Sequence, residues 1–147
     1  GVTIALQGLG SVSFHLLDHL NREGAKVVAC DIDEAAIQRA RSKTPGIKIV
    51  SPDAIFDEPC DVFSPSALGG AINVSTRPRI KAKIVAGAAN NQLATPEDGL
   101  ALFKSGVLYA PDYAINAGGL INIYHEHDAG GYRHDAAFKH AEGIGQT

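Results

Sequence analysis

Apolar residues fall into six short runs, and segments of helical period alternate with them along most of the chain. Residues 2–7, VTIALQ, are mostly apolar with β-branched members and end at Gly8, which predicts a strand covered on both faces. Val12, Leu16 and Leu20 then recur at helical spacing, with Ser11 as the cap and Gly24 as the stop. Residues 26–30 predict a second strand, Asp33 caps a helix through Ala35, Ile37 and Ala40, and residues 47–50 predict a third strand. The second half repeats the rhythm with strands at 61–64, 83–86 and 107–109. Between the fourth and fifth strands only a short helical turn at 76–80 fits. Between the fifth and sixth, TPEDGLALFKSG has every mark of a helix: Thr95 caps it, Pro96 opens it, Glu97 and Asp98 suit its positive end, and Gly106 stops it. After Ala117, GGLINIYHEH predicts another helix, DAGGYRHD a loop, and a last helix runs from Ala136 to Thr147 without a closing signal.

This alternation predicts an α/β fold of the Rossmann type: a doubly wound, mostly parallel sheet of six strands in two halves, with helices on both faces. No repeat of 20–50 residues interrupts it. At 147 residues the chain makes one domain, 1–147. A net charge of −3, with no basic block and no interleaved aromatic stripe, leads us to expect no nucleic-acid partner. No apolar run approaches the roughly 18 residues of a membrane helix, so no membrane partner is expected either. Cys30 and Cys60 fit no metal spacing and read as small buried thiols, which favours a reducing, cytoplasmic compartment. The chain opens at Gly1 and contains no Met, so it reads as a piece of something longer.

The chemistry begins in QGLGSVS, residues 7–13. Gly8 allows a tight turn after the first strand, and Gly10 lets the backbone approach a pyrophosphate at the positive end of the following helix. The third position of this fingerprint is Ser13, which is small enough for helix and strand to pack closely. Asp31 ends the second strand roughly 20 residues past the glycines, where a carboxylate can accept hydrogen bonds from an adenosine ribose. A 2′-phosphate there would be repelled by roughly 4 kcal/mol for unit charges about 4 Å apart, which points to NAD rather than NADP. Asp33 is the competing reading for this acid.

Other unusual residues also follow strand ends on one side: PSALGG (65–70), GAANNQ (87–92) and APDYAINAGG (110–119). In an open parallel sheet that side lines the ligand crevice. Asn90, Asn91 and Asn116 either offer paired donors and acceptors there or simply shape turns. None of these loops supplies a lysine, and Asp112, between Pro111 and Tyr113, reads as a turn former, so no catalytic residue is assigned. Four of the six histidines, His125, His127, His134 and His140, lie in the tail, and His15 and His19 stand four apart. Neither set completes a metal site, so the expectation is a polar surface and no metal.

QGLGSV (7–12), CDVFSPSALGGAIN (60–73), AGAANNQL (86–93) and above all YAPDYAINAGGLIN (109–122) resemble the nucleotide-binding domain of the Glu/Leu/Phe/Val amino acid dehydrogenase family, the leucine branch most closely. The resemblance implies NAD-dependent, reversible oxidative deamination of a branched-chain L-amino acid to its 2-oxo acid and ammonia. It implies that Gly8, Leu9, Gly10, Ser11 and Val12 form the pyrophosphate loop and Asp31 the ribose acid. Ala67, Leu68, Ala89 and Asn90 match loops near the nicotinamide half, and Asn116 an amide facing nicotinamide and substrate. It further implies a catalytic lysine and aspartate on an N-terminal substrate domain that this chain lacks, a longer C-terminal helix, and a homo-oligomeric parent. The fragment alone is then expected to bind cofactor without turnover. Phenylalanine-, valine- or glutamate-type enzymes, or a stand-alone nucleotide-sensing module, are the alternatives.

Overall fold

The computed structural model of the chain describes residues 1–128 and 130–146, the last of these by its backbone. Six strands form one sheet: β1 (Thr3–Gln7), β2 (Lys26–Cys30), β3 (Lys48–Ile49), β4 (Val62–Pro65), β5 (Ile84–Val85) and β6 (Leu108–Tyr109). Their order is β3-β2-β1-β4-β5-β6 and every pairing is parallel. The sheet is therefore wholly rather than mostly parallel, and its direction of winding reverses between β1 and β4.

Side-chain alternation divides the core in two. Ala5, Val28, Cys30 and Phe63 face a layer that holds Ile55, Phe56 and, from helix α3 (Pro96–Lys104), Leu102. Leu6, Val27 and Ala29 face the other way, onto Leu17 of α1 (Ser11–Arg22) and Ala36, Ile37 and Ala40 of α2 (Glu34–Lys43). A period of two in β1 and β2 thus feeds both faces, as a buried parallel sheet requires. The chain ends in α4 (Asp112–Ile115), α5 (Gly118–Glu126) and α6 (His134–Glu142), followed by one 3-10 turn, Gly143–Gln146. Thr147, the end of the predicted last helix, lies outside the described residues. That helix starts two residues before Ala136, inside the stretch expected to be a loop.

Several local expectations need correction. Ser11 does not cap α1; it is the first helical residue, and Gly10, in an extended conformation, holds the cap position with no side-chain bond. The inward side of α1 is Ser13 and Leu17, while Val12 is 63 % exposed. Leu16 and Leu20 of the expected stripe pack against the second core as well, whereas Val12 borders an apolar groove with Ile4, Val62 and Ile115. Helix α2 runs through Ala35, Ile37 and Ala40 as expected, and its inward positions are Ala36, Ile37 and Ala40. Asp33 does cap α2, accepting from the Ala35 N–H at 2.9 Å. The crossover from β3 to β4 contains an unanticipated 3-10 turn, Ala54–Asp57, whose Ile55 and Phe56 close the first core. The turn expected at 76–80 is present as Arg77–Arg79.

Candidate nucleotide site

Gly8 stands at φ +97°, where a side chain is strained, and a Cβ there would come within 2.9 Å of Ala67 and of the Ser66 carbonyl. The turn after β1 is therefore pressed against the turn after β4. Gly10 differs: a Cβ on it would meet nothing within 4 Å. The first internal bond of α1 runs from the Phe14 N–H to the Gly10 carbonyl at 2.9 Å. The N–H groups of the preceding turn therefore have no partner within the helix. No side chain caps them and no acid sits in the first turn. An uncapped helix start facing open space suits a phosphate chemically, through its free donors and its positive end.

Asp31 is fastened to this turn. Its Oδ2 accepts from the Leu9 N–H at 2.5 Å and its Oδ1 from the Asp33 N–H at 2.8 Å, with the residue still partly exposed. Asp33 is occupied as the cap of α2. The two acids are thus separated by geometry: one anchors a helix and the other borders the crevice. Cys30, just before Asp31, is buried, and burial pushes its thiol up to about 11, so it is core rather than chemistry.

The other three loops interlock. A Cβ on Gly87 would overlap the Pro65 backbone, and the Ala89 N–H donates to the Pro65 carbonyl at 3.0 Å, tying the β5 loop to the end of β4. A Cβ on Gly69 would sit 2.9 Å from the Asn90 carbonyl, and the Gly70 N–H donates to the Asn91 carbonyl at 2.7 Å. From the β6 loop, Asn116 Nδ2 donates to Asn90 Oδ1 at 2.7 Å, and Asp112 Oδ2 accepts from the Asn91 N–H at 2.5 Å. Ala67 and Leu68 lie exposed on the rim, Leu68 at 83 %, whereas Ala89 is buried. One band of loops therefore runs from Asp31 through Leu9, Ala67 and Asn90 to Asn116. Asn91, at φ +51°, shapes the turn, while Asn90 and Asn116 pair through their side chains.

Residues 31–141 match the model of the Glutamate/Leucine/Phenylalanine/Valine dehydrogenase family. The chain belongs to this family. It is 45 % identical to the leucine dehydrogenase of Bacillus cereus over its whole length, which is 39 % of that protein. The crystal structure of L-tryptophan dehydrogenase from Nostoc punctiforme superposes with a TM-score of 0.91 at 41 % identity, over 98 % of this chain and 43 % of that one. A hetero-hexameric glutamate dehydrogenase from Thermus thermophilus, solved with Leu bound, gives 0.66 at 28 % identity, over 82 % of this chain and 32 % of that one. The chain thus spans well under half the length of these family members.

For a member of the Glutamate/Leucine/Phenylalanine/Valine dehydrogenase family, two residues of the band escape a reading by motif. Asp112 does more than turn the chain: it opens α4 and holds the β5 loop from outside. Gln92 lies beneath the same loop, hidden in the sequence among neighbouring amides. The place of each residue within a crevice loop, APDYAINAGG for Asp112 and GAANNQ for Gln92, was the signal the sequence offered, with nothing to tell Gln92 from its neighbouring amides. The histidine tail also differs from a plain polar surface. His125 Nδ1 bonds Asp128 at 2.7 Å and its Nε2 meets His140 Nδ1 at 3.2 Å, joining α5 to α6. Among the described residues no cluster of three or more ligating side chains could hold a metal, and no helix is long and apolar enough to cross a membrane.

Proposed function

We propose that this chain is the NAD-binding part of an amino acid dehydrogenase that oxidatively deaminates a branched-chain L-amino acid of the leucine type, reversibly, to the 2-oxo acid and ammonia. The observation that carries the reading is the uncapped, open start of α1 joined directly to Asp31. Its cofactor is NAD. The backbone of Gly8, Leu9, Gly10, Ser11 and Val12 holds the pyrophosphate, and the Asp31 carboxylate accepts the ribose hydroxyls. Ala67, Leu68, Ala89, Asn90 and Asn116 border the nicotinamide half and keep water from it. When bound, the cofactor supplies hydride acceptance from the α-carbon of the substrate. The proton-transfer groups come from outside this chain, because the crevice loops contain no lysine and Asp112 is engaged by a backbone N–H.

Leucine is favoured as the substrate by the Bacillus cereus relative, and the tryptophan enzyme from Nostoc punctiforme marks how near another side-chain preference lies. Assembly into oligomers, stated for the Thermus thermophilus enzyme, extends in this reading to the parent protein. Calorimetric titration with NAD and NADP tests the core of it. The chain is expected to bind NAD more tightly, and Asp31→Ser to erase the preference by removing the charge that repels a 2′-phosphate. Equal affinity of the unaltered chain for both dinucleotides would sink the assignment of Asp31.

A further inference from the structure

The loop after β5 takes its shape from within. Gln92 is fully buried, at 0 % exposure, and its Nε2 donates to the Gly87 carbonyl at 2.6 Å and the Ala89 carbonyl at 3.0 Å. Its own backbone carbonyl accepts from the Ile72 N–H at 3.0 Å, so the same residue ties the loop to the chain beyond β4. Both partners of the side chain are acceptors, and only the NH2 end of a carboxamide can face them, so the orientation is fixed by chemistry. The Oε1 at the other end is buried without a hydrogen-bond partner among the described residues. An apolar side chain would fill this volume without leaving a desolvated acceptor behind. The two donated bonds are what only the carboxamide supplies.

The bonds act on the part of the crevice that meets Asn116. Gly87 and Ala89 bracket the chain leading to Asn90, and Asn90 Oδ1 accepts from Asn116 Nδ2 at 2.7 Å. Asp31 places an adenosine ribose on the β2 side of the point where strand order reverses, which leaves the second mononucleotide over β4 to β6. We infer that Gln92 is a positioning residue for the nicotinamide half: it clamps the Gly87 and Ala89 carbonyls and so presents Asn90 to the ring, without touching the cofactor. This rests on the dinucleotide reading of the crevice. The adenosine half is built on Gly8–Val12 and Asp31, none of which hydrogen-bonds to the Gln92 side chain.

The test separates the two halves by ligand. NADH requires both, whereas ADP occupies only the adenosine side. Gln92→Met keeps the volume and removes the donors; Gln92→Glu keeps the shape and sets an acceptor against two carbonyls. Titration by calorimetry, with fluorescence of the bound NADH ring as a second signal, is expected to show NADH binding weakened about tenfold in both variants. ADP affinity should stay within about twofold and the NADH emission should shift toward that of the free ring. Gln92→Asn, which keeps a buried carboxamide too short to span both carbonyls, serves where the larger changes prevent folding and should show the same split in smaller measure. Equal losses for NADH and ADP, or no loss for either, would overturn the positioning role while leaving the nucleotide site intact. Failure of the unaltered chain to bind either ligand would instead overturn the dinucleotide reading and this inference together.

Discussion

Gly8 and Gly10 look alike in the sequence and are held for opposite reasons. Gly8 is required by its positive φ and by the backbone of the β4 turn; Gly10 is required by nothing inside the protein. Gly8→Ala is therefore expected to cost about 1–3 kcal/mol of stability in urea unfolding. Gly10→Ala should cost less than about 1 kcal/mol, since alanine is merely a poorer helix cap. Both should lose NAD affinity, and the contrast is the measurement: a large stability loss at Gly10 would mean that its open face is filled by the protein. Residue-level reading of the sequence located this turn because two glycines between a strand and a helix mark a tight turn with an open face. It placed the ribose acid at Asp31 with Asp33 as the competing reading, since two acids two positions apart differ only in which N–H groups reach them. It missed Gln92, whose importance lies wholly in carbonyls brought to it by the fold.

Among elements, α3 was the most legible, because its start and stop signals are local. Its detail shows how tertiary contacts rework a motif: Asp98 accepts from both the N–H and the hydroxyl of Thr95 at 3.1 Å and also pairs with Arg77 at 2.6 Å. The β3–β4 crossover was illegible because its turn at Ala54–Asp57 carries neither helical nor strand period, and in the stripe on α1 only Val12 misled, since it borders an apolar groove beside the helix. The crossover is braced by Arg79, which pairs with Asp53 at 2.8 Å and Asp57 at 2.6 Å and lies over the Phe56 ring. Hydrogen bonds from Arg79 hold both carboxyls below their usual 3.8. A lowered carboxyl contributes stability above pH 3.8 that is lost as pH falls through the folded value. Arg79→Gln should thus be less stable than the unaltered chain at pH 7, with the gap closing below about pH 3.8 and shrinking in salt. Denaturant unfolding across that range checks it; a gap that widens in acid would rule the brace out.

At the scale of the whole molecule, the parallel sheet and its two covered faces follow from the alternation of apolar runs, which is why the fold class was readable with no side-chain detail, whereas the strand order came only from the structure. The catalytic side was not, because the loops supply shape and hydrogen bonds rather than titrating groups. Incubated with leucine and NAD, this chain is expected to bind cofactor and to produce no NADH, followed by the absorbance of the reduced ring. Measurable turnover would place the acid–base groups within these loops after all. The central position of β1 has one more consequence, for the chain as it is made. β1 pairs on one side with β2, soon after it in sequence, and on the other with β4, which waits for residues 8–61 to be added. At roughly 5–20 residues per second, β1 leaves the ribosome with an open flank for about 3–11 s. During that interval its unpaired amides and carbonyls are a template for any extended segment nearby, so a strand flanked on both sides in the finished sheet is the one most exposed to mispairing at birth.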